Sequence, residues 1–304
     1  MATDVLGVAV EVGSRVEIGS LSVFPLQGTF TGGPVYLTGP EAFDAGLIQV
    51  SELDPPQVPS LAVFNLAEVP VLLVEGETLV GGSQNRTMNV TVLCPAKART
   101  VVPVSCVEAG RWEAARPVTR SRRHAPASLR ATKTASLDPL AAGPGRGSDQ
   151  GRVWDEVDRQ SMTHGVGSAT RALEDVHDVM EDRVVTQLDQ LEPLADQVGV
   201  ACAVGRTVIG FDLFDRPSTL ARYLKGIVAG IALDAPTSPA PKGTKVAIER
   251  FLAGIDSTDR EVGPGVGLGK ELRLSGAVVG TGLSCEDILL HLAAFPAPAE
   301  QVQG

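Results

Sequence analysis

The chain is short of the residues that most often announce a function. Its 304 residues hold 4 cysteines and 4 histidines. Cys94, Cys106, Cys202 and Cys285 show no paired spacing, and each sits in or beside an apolar strand pattern. That excludes a disulfide framework or a zinc knuckle and leaves buried thiols in a reducing cytosol as the expectation. Aromatics make up 4% of the chain, so a core drawn from the 43% apolar residues must rest on Val, Leu, Ile and Ala. No apolar run approaches the roughly 20 residues of a membrane-crossing helix. The opening MATDVLGVAVEVG lacks the basic and apolar regions of a signal peptide, so a cytoplasmic protein with no membrane partner is expected. Positive charge is in the minority, 26 Lys and Arg against 36 Asp and Glu, a net charge of −10. That balance argues against nucleic acid as a partner.

Catalytic signatures are equally sparse. There is no Gly-x-Ser-x-Gly elbow and no glycine fingerprint leading from a strand into a helix. Gly263–Lys270 is rich in glycine, but Glu271 stands where a phosphate loop needs Ser or Thr, and a strand rather than a helix is predicted to follow. Glu174 and His177 share a helical face, yet a carboxylate-bridged metal pair needs that motif twice. They read as a solvated face, no metal site is expected, and no cofactor is assigned.

What is present centres on Pro70–Trp112. Pro70–Val74 is apolar, Glu75-Gly76-Glu77 is a turn carrying two carboxylates, and Gly81-Gly82-Ser83 is a second turn leading into Gln84-Asn85-Arg86. In Thr87–Cys94, Met88, Val90, Val92 and Cys94 point one way and Thr87, Asn89 and Thr91 the other. Pro95–Ala98 breaks the run and Thr100–Val107 resumes it, which makes a β-meander. Val102, Val104, Cys106 and Glu108 share a face, the pattern of a strand leaving a core for a cleft.

The strings EGETLVGGSQNR, NVTVL-x-PA and VPVSCVEAGRW resemble the bacterial domain family named for its association with ADP-ribosylglycohydrolase and rhodanese-phosphatase proteins. VGVACAVGRTVIGFDLFD, IALDA, GLGKELRL and ILLHLAAF extend the resemblance over most of the chain from about Pro59 to Phe295. At Ala109 the family pattern leads us to expect a polar residue such as Gln. The resemblance implies genomic company with ADP-ribose chemistry.

Three segments follow from composition. Residues 1–112 are β-rich and carry the central motif. Residues 113–150 are rich in Ala, Ser, Pro, Gly and Arg without apolar periodicity, so a flexible, exposed basic insert is expected. Residues 151–304 hold helices, including a long candidate over Ser168–Glu192, then a closing β-meander. The first and last segments are expected to form one composite α+β domain, with antiparallel meanders sharing a core and helices packed on them.

The candidate site is the central motif. Arg86 and Arg111 suit an anionic group, because guanidinium forks match phosphate and carboxylate. Gln84 and Asn85 suit orienting hydrogen bonds, and Trp112 a stacking contact. Glu75 and Glu77 belong to the same set, and Arg273 extends it toward an anion. Glu108 is the candidate for proton transfer and Cys106 the candidate nucleophile. The competing reading pairs these charges with one another inside the fold. Three functions stand open: processing of a nucleotide-derived ligand such as ADP-ribose or a ribose phosphate, sensing of that ligand, or a structural or oligomerising role. A small anionic molecule and a second copy of the chain are the corresponding partners.

Overall fold

The computed structural model of the chain describes residues 2–29, 32–112, 116–140 and 145–299, with the backbone alone for 182–186. The N-terminal part runs β1 (Thr3–Val5), β2 (Val8–Val12), β3 (Val16–Ile18), β4 (Leu21–Gly28), β5 (Leu37–Thr38), α1 (Gly39–Asp44), β6 (Ile48–Ser51) and β7 (Ser60–Asn65). The central motif supplies β8 (Val71–Leu73), β9 (Glu77–Val80), β10 (Arg86–Met88), β11 (Val92–Cys94) and β12 (Arg99–Cys106). Then come β13 (Thr119–His124), α2 (Ala127–Ala135), α3 (Gln150–His164), α4 (Leu173–Leu188), β14 (Gln197–Val204), β15 (Thr207–Phe214), α5 (Pro217–Ala232) and α6 (Lys245–Ser257). β16 (Asp259–Pro264), β17 (Lys270–Ser275), β18 (Val278–Cys285) and β19 (Ile288–Pro296) close the fold.

The architecture is α+β. A ten-stranded antiparallel sheet runs β1-β2-β4-β14-β15-β19-β18-β17-β16, with β3 also on β4. The central motif builds a six-stranded sheet, β13-β9-β10-β12-β7-β6, and a small sheet, β11-β8-β5. One apolar cluster joins Leu72, Val74 and Leu93 of the motif to Val279, Leu283, Leu290 and Phe295 of the last meander, with α5 packed between through Tyr223, Ile227 and Ile231. The central and C-terminal meanders therefore share a core. Each alone would leave an apolar face in water.

Local signals explain most boundaries. Thr38 and Glu41 form a capping box on α1, and Thr244 caps α6. α3 ends at Gly165, whose φ of 66° is the left-handed cap that Gly accepts without strain. The α2 N-terminus has no cap of its own; the Asp234 carboxylate accepts the Ser128 amide instead.

Two expectations are corrected. Periodicity over Ser168–Glu192 predicts a helix from Ser168, but α4 starts at Leu173. The chain just before it pairs with the end of the motif strand instead: Ala172 bridges Glu108, the Leu173 amide donates to Val107 O, and Gly110 donates to Thr170 O. Tertiary pairing overrides helical propensity there. The second correction concerns 113–150, expected to be exposed and weakly packed. Among its described residues, β13 pairs with β9, and α2 buries Arg130 and Lys133 completely. The physical reason is partnership: Arg120, Arg130 and Lys133 find carboxylates inside the fold rather than water.

Candidate functional site

β9 and β10 are joined by Gly81 and Gly82, whose φ values of 107° and 55° need glycine. At Gly81 a Cβ would also lie 2.3 Å from Pro117 O. The turn sets Asn85 beside the end of β12, where Glu108 leaves the core. Arg111 closes the arrangement. Its Nε and Nη2 donate to Glu108 Oε1 and Oε2 at 3.0 and 2.7 Å, and its Nη1 donates to Gly82 O at 2.6 Å. Nη2 also reaches Gly81 O and Asn85 Oδ1. The Asn85 amide adds a third donor to Glu108 at 3.0 Å. Burial pushes the Glu108 carboxyl up, but Arg111, Asn85 and Thr170 outweigh it and hold it below the usual range.

These groups open on a cleft of about 490 Å³. One wall is Val80, Gly81, Asn85, Glu108 and Arg111; the other is Thr170, Ala172, Glu174, Asp175 and Asp178, with Arg116 and Pro117 at the rim. Arg116 is exposed. Glu174, read from sequence as part of a solvated face, is half-buried here. Its Oε1 accepts Ser121 Oγ at 3.0 Å and Arg123 Nη1 at 3.1 Å, while Oε2 is buried with no hydrogen-bond partner. Burial raises its carboxyl above the usual range, against the pull of Arg123 and Ser121. The sequence signal that would have found Glu174 is absent, because its neighbourhood depends on the pairing of Ala172 with Glu108. His177 is likewise buried rather than solvated, and its imidazole is pushed down to about 3 by burial.

The other expected site residues lie elsewhere. Gln84 donates to Glu108 O at 3.0 Å from behind the cleft wall. Arg86, 2% exposed, donates through Nε to Val58 O and leaves Nη1 unpartnered. Cys106 faces Arg86 across the β10–β12 pair and bonds to Glu108 O. Burial pushes its thiol up, so it stays protonated at neutral pH. Trp112 is 58% exposed and outside the cleft lining. Arg273 pairs with Glu271, which also holds Arg146.

Glu75 and Glu77 are sealed in the interior. Glu75 takes Arg130 Nε at 2.9 Å and Lys133 Nζ at 2.6 Å. Arg130 continues to both oxygens of Asp212 at 3.0 and 2.6 Å. Asp212 Oδ1 meets His291 Nε2 at 3.2 Å, and His291 Nδ1 meets Thr91 Oγ1 at 2.7 Å. Gly76 lets Arg130 approach, since a Cβ there would lie 2.7 Å from its Nε. Glu77 accepts Arg120 Nε at 2.7 Å and the Val74 amide at 2.6 Å. Among the described residues, no group of three or more His, Cys, Asp or Glu is placed to hold a metal ion. None of the described helices is long and apolar enough to cross a membrane.

Fold and cleft together define an α+β protein whose central meander presents a carboxylate and a guanidinium at a strand end. The chain belongs to the ARG and Rhodanese-Phosphatase-superfamily-associated Protein domain family, whose model matches residues 9–295. Neither a curated protein nor a solved structure matches it.

Proposed function

We propose that the cleft binds a nucleotide-derived ligand of the ADP-ribose or ribose-phosphate type. The observation that carries this reading is the convergence of Asn85, Glu108 and Arg111 with Thr170, Glu174 and Arg116 on one open cleft. Its volume falls within the range of small-molecule sites. Carboxylates and a threonine hydroxyl suit the hydroxyls of a ribose. Arg111 is already engaged by Glu108 and by two turn carbonyls, so the exposed Arg116 is the better phosphate contact. The family name, which ties the domain to proteins associated with ADP-ribosylglycohydrolase, supports the same ligand class.

The test is calorimetric titration of ADP-ribose and ribose 5-phosphate into wild type, Arg116→Ala and Glu108→Gln. Loss of a guanidinium–phosphate contact is expected to weaken binding by about 1.5–3 kcal/mol, roughly ten- to a hundredfold. No binding by the wild type defeats the proposal. A second reading is favoured by the mutual satisfaction of Glu108 and Arg111: the pair braces the Gly81-Gly82 turn, and the motif serves folding or a subunit contact. On that reading Arg111→Ala lowers the melting temperature and leaves ligand affinity unchanged.

A further inference from the structure

A second cavity, of about 850 Å³, shares no lining residue with the cleft. It opens between the start of β12, with Arg99, Thr100 and Val101, and residues 264–267 of the glycine-rich connection from β16 to β17; Arg146 also lines it. Among its described lining residues there is no carboxylate, whereas the cleft carries Glu108, Glu174, Asp175 and Asp178. In a chain of net charge −10 that is a local reversal of sign. The two guanidiniums have different tasks. Arg146 is buried and committed: Nε donates to Glu271 Oε2 at 2.8 Å, Nη1 to Gly145 O at 2.8 Å and Nη2 to Pro264 O at 3.1 Å, which ties it to the loop. Arg99 is exposed, and among the described residues its side chain meets only the Phe64 ring, 5.8 Å from the centroid. No carboxylate competes with a ligand for it.

The loop itself is pinned. The Leu268 amide donates to Leu93 O at 2.9 Å and the Gly265 amide to Gly269 O at 3.0 Å. At Gly267 a Cβ would lie 2.2 Å from Leu93 O, so loop and β11 meet backbone to backbone, which only glycine allows. Between these anchors the amides of Val266 and Gly267 donate to nothing among the described residues, and both residues line the cavity. Consecutive backbone donors beside a guanidinium can hold an anion without a helix N-terminus. We propose that this cavity binds the phosphate group of a small ligand with an apolar body. The Val266 and Gly267 amides and Arg99 take the phosphate oxygens, and Val101, Pro264 and Val266 cover the body. Val101 is 41% exposed, an apolar surface without a cover of its own. The volume lies in the range of small-molecule sites. The site stands independently of whatever the cleft binds.

The experiment is an amide NMR titration of the full chain with phenyl phosphate, inorganic phosphate and phenol. Phenyl phosphate is expected to shift the Val266 and Gly267 amide signals and to bind more tightly than inorganic phosphate; phenol, which lacks the anion, is expected to leave both signals in place. Arg99→Ala removes an exposed side chain, so the variant is expected to fold and to bind phenyl phosphate about ten- to a hundredfold more weakly. Arg99→Lys keeps the charge and loses the fork, and an intermediate loss is expected. Val266 and Gly267 signals that neither phosphate moves overturn the proposal. So does an Arg99→Ala titration that matches the wild type. Shifts confined to Gly81, Asn85 and Thr170 assign the phosphate to the cleft and overturn it as well. Phenyl phosphate that binds no more tightly than inorganic phosphate overturns the apolar body.

Discussion

Two carboxylates of the central motif, Glu75 and Glu108, meet opposite fates. Both sit beside a strand end, and both are held ionised by cations. Glu75 faces inward and is wholly buried with Arg130, Lys133 and Asp212, a neutral quartet sealed between the motif, α2 and the ten-stranded sheet. Glu108 faces outward onto a cleft that its partner Arg111 shares. The contrast teaches that the charge pattern marks where polar groups converge, whereas access decides which convergence can do chemistry. A sealed quartet holds elements together; a pair that lines a cleft stays within reach of solvent.

The comparison breaks first at Arg130. Arg130→Met removes both bridges and leaves Glu75 and Asp212 with buried, undercompensated charge. We expect a loss of about 3–5 kcal/mol in urea-induced unfolding. A loss below about 1 kcal/mol would show that the quartet relaxes toward water and is not a sealed joint.

Acid is the next probe. Burial pushes the Glu75 carboxyl up, but Arg130 and Lys133 outweigh it and hold it below its ordinary 4.5; Arg130 and His291 do the same for Asp212 below 3.8. Folded pKa values below the unfolded ones stabilise the fold above the unfolded values. That contribution is lost as pH falls through the folded ones. The melting temperature should therefore hold down to about pH 4.5 and then fall. Arg130→Met should flatten that fall, which assigns it to the quartet.

Arg111→Ala should have a smaller effect. Its side chain is 23% exposed and Glu108 retains the Asn85 amide, so a loss of about 1–2 kcal/mol is expected from unfolding curves. A loss as large as that of Arg130→Met would make the cleft pair as structural as the quartet. Smallest of all is Glu192→Gln, which breaks the exposed pair with Lys225 and should change stability by less than about 0.5 kcal/mol.

The parts of the fold that sequence made legible are those with local causes. Met88, Val90, Val92 and Cys94 do share an apolar cluster, and Asn89 and Thr91 make hydrogen bonds on the other side, but the expected single strand is corrected: it breaks after Met88 into β10 and β11, which join different sheets. The Gly205-Arg206 hairpin between β14 and β15 likewise has a local cause, Gly205 at φ 60°. β16 was not legible, because Asp259–Pro264 is an exposed edge strand with no apolar alternation to report it.

The sequence by itself determined the strand patterning of the motif, the α+β class, and the polar cluster around Gln84-Asn85-Arg86 and Glu108, since side-chain periodicity and glycine conformation act over a few residues. Tertiary structure alone decided which of those polar groups reach the cleft. Arg130 meets Glu75 55 residues earlier and Asp212 82 residues later. Glu174 comes to line the same cleft as Glu108 only because Thr170, Ala172 and Leu173 pair with the end of the motif strand and α4 starts later than its periodicity suggests. Contacts of that range depend on how separate elements bury their apolar faces together, and no window of local sequence records it.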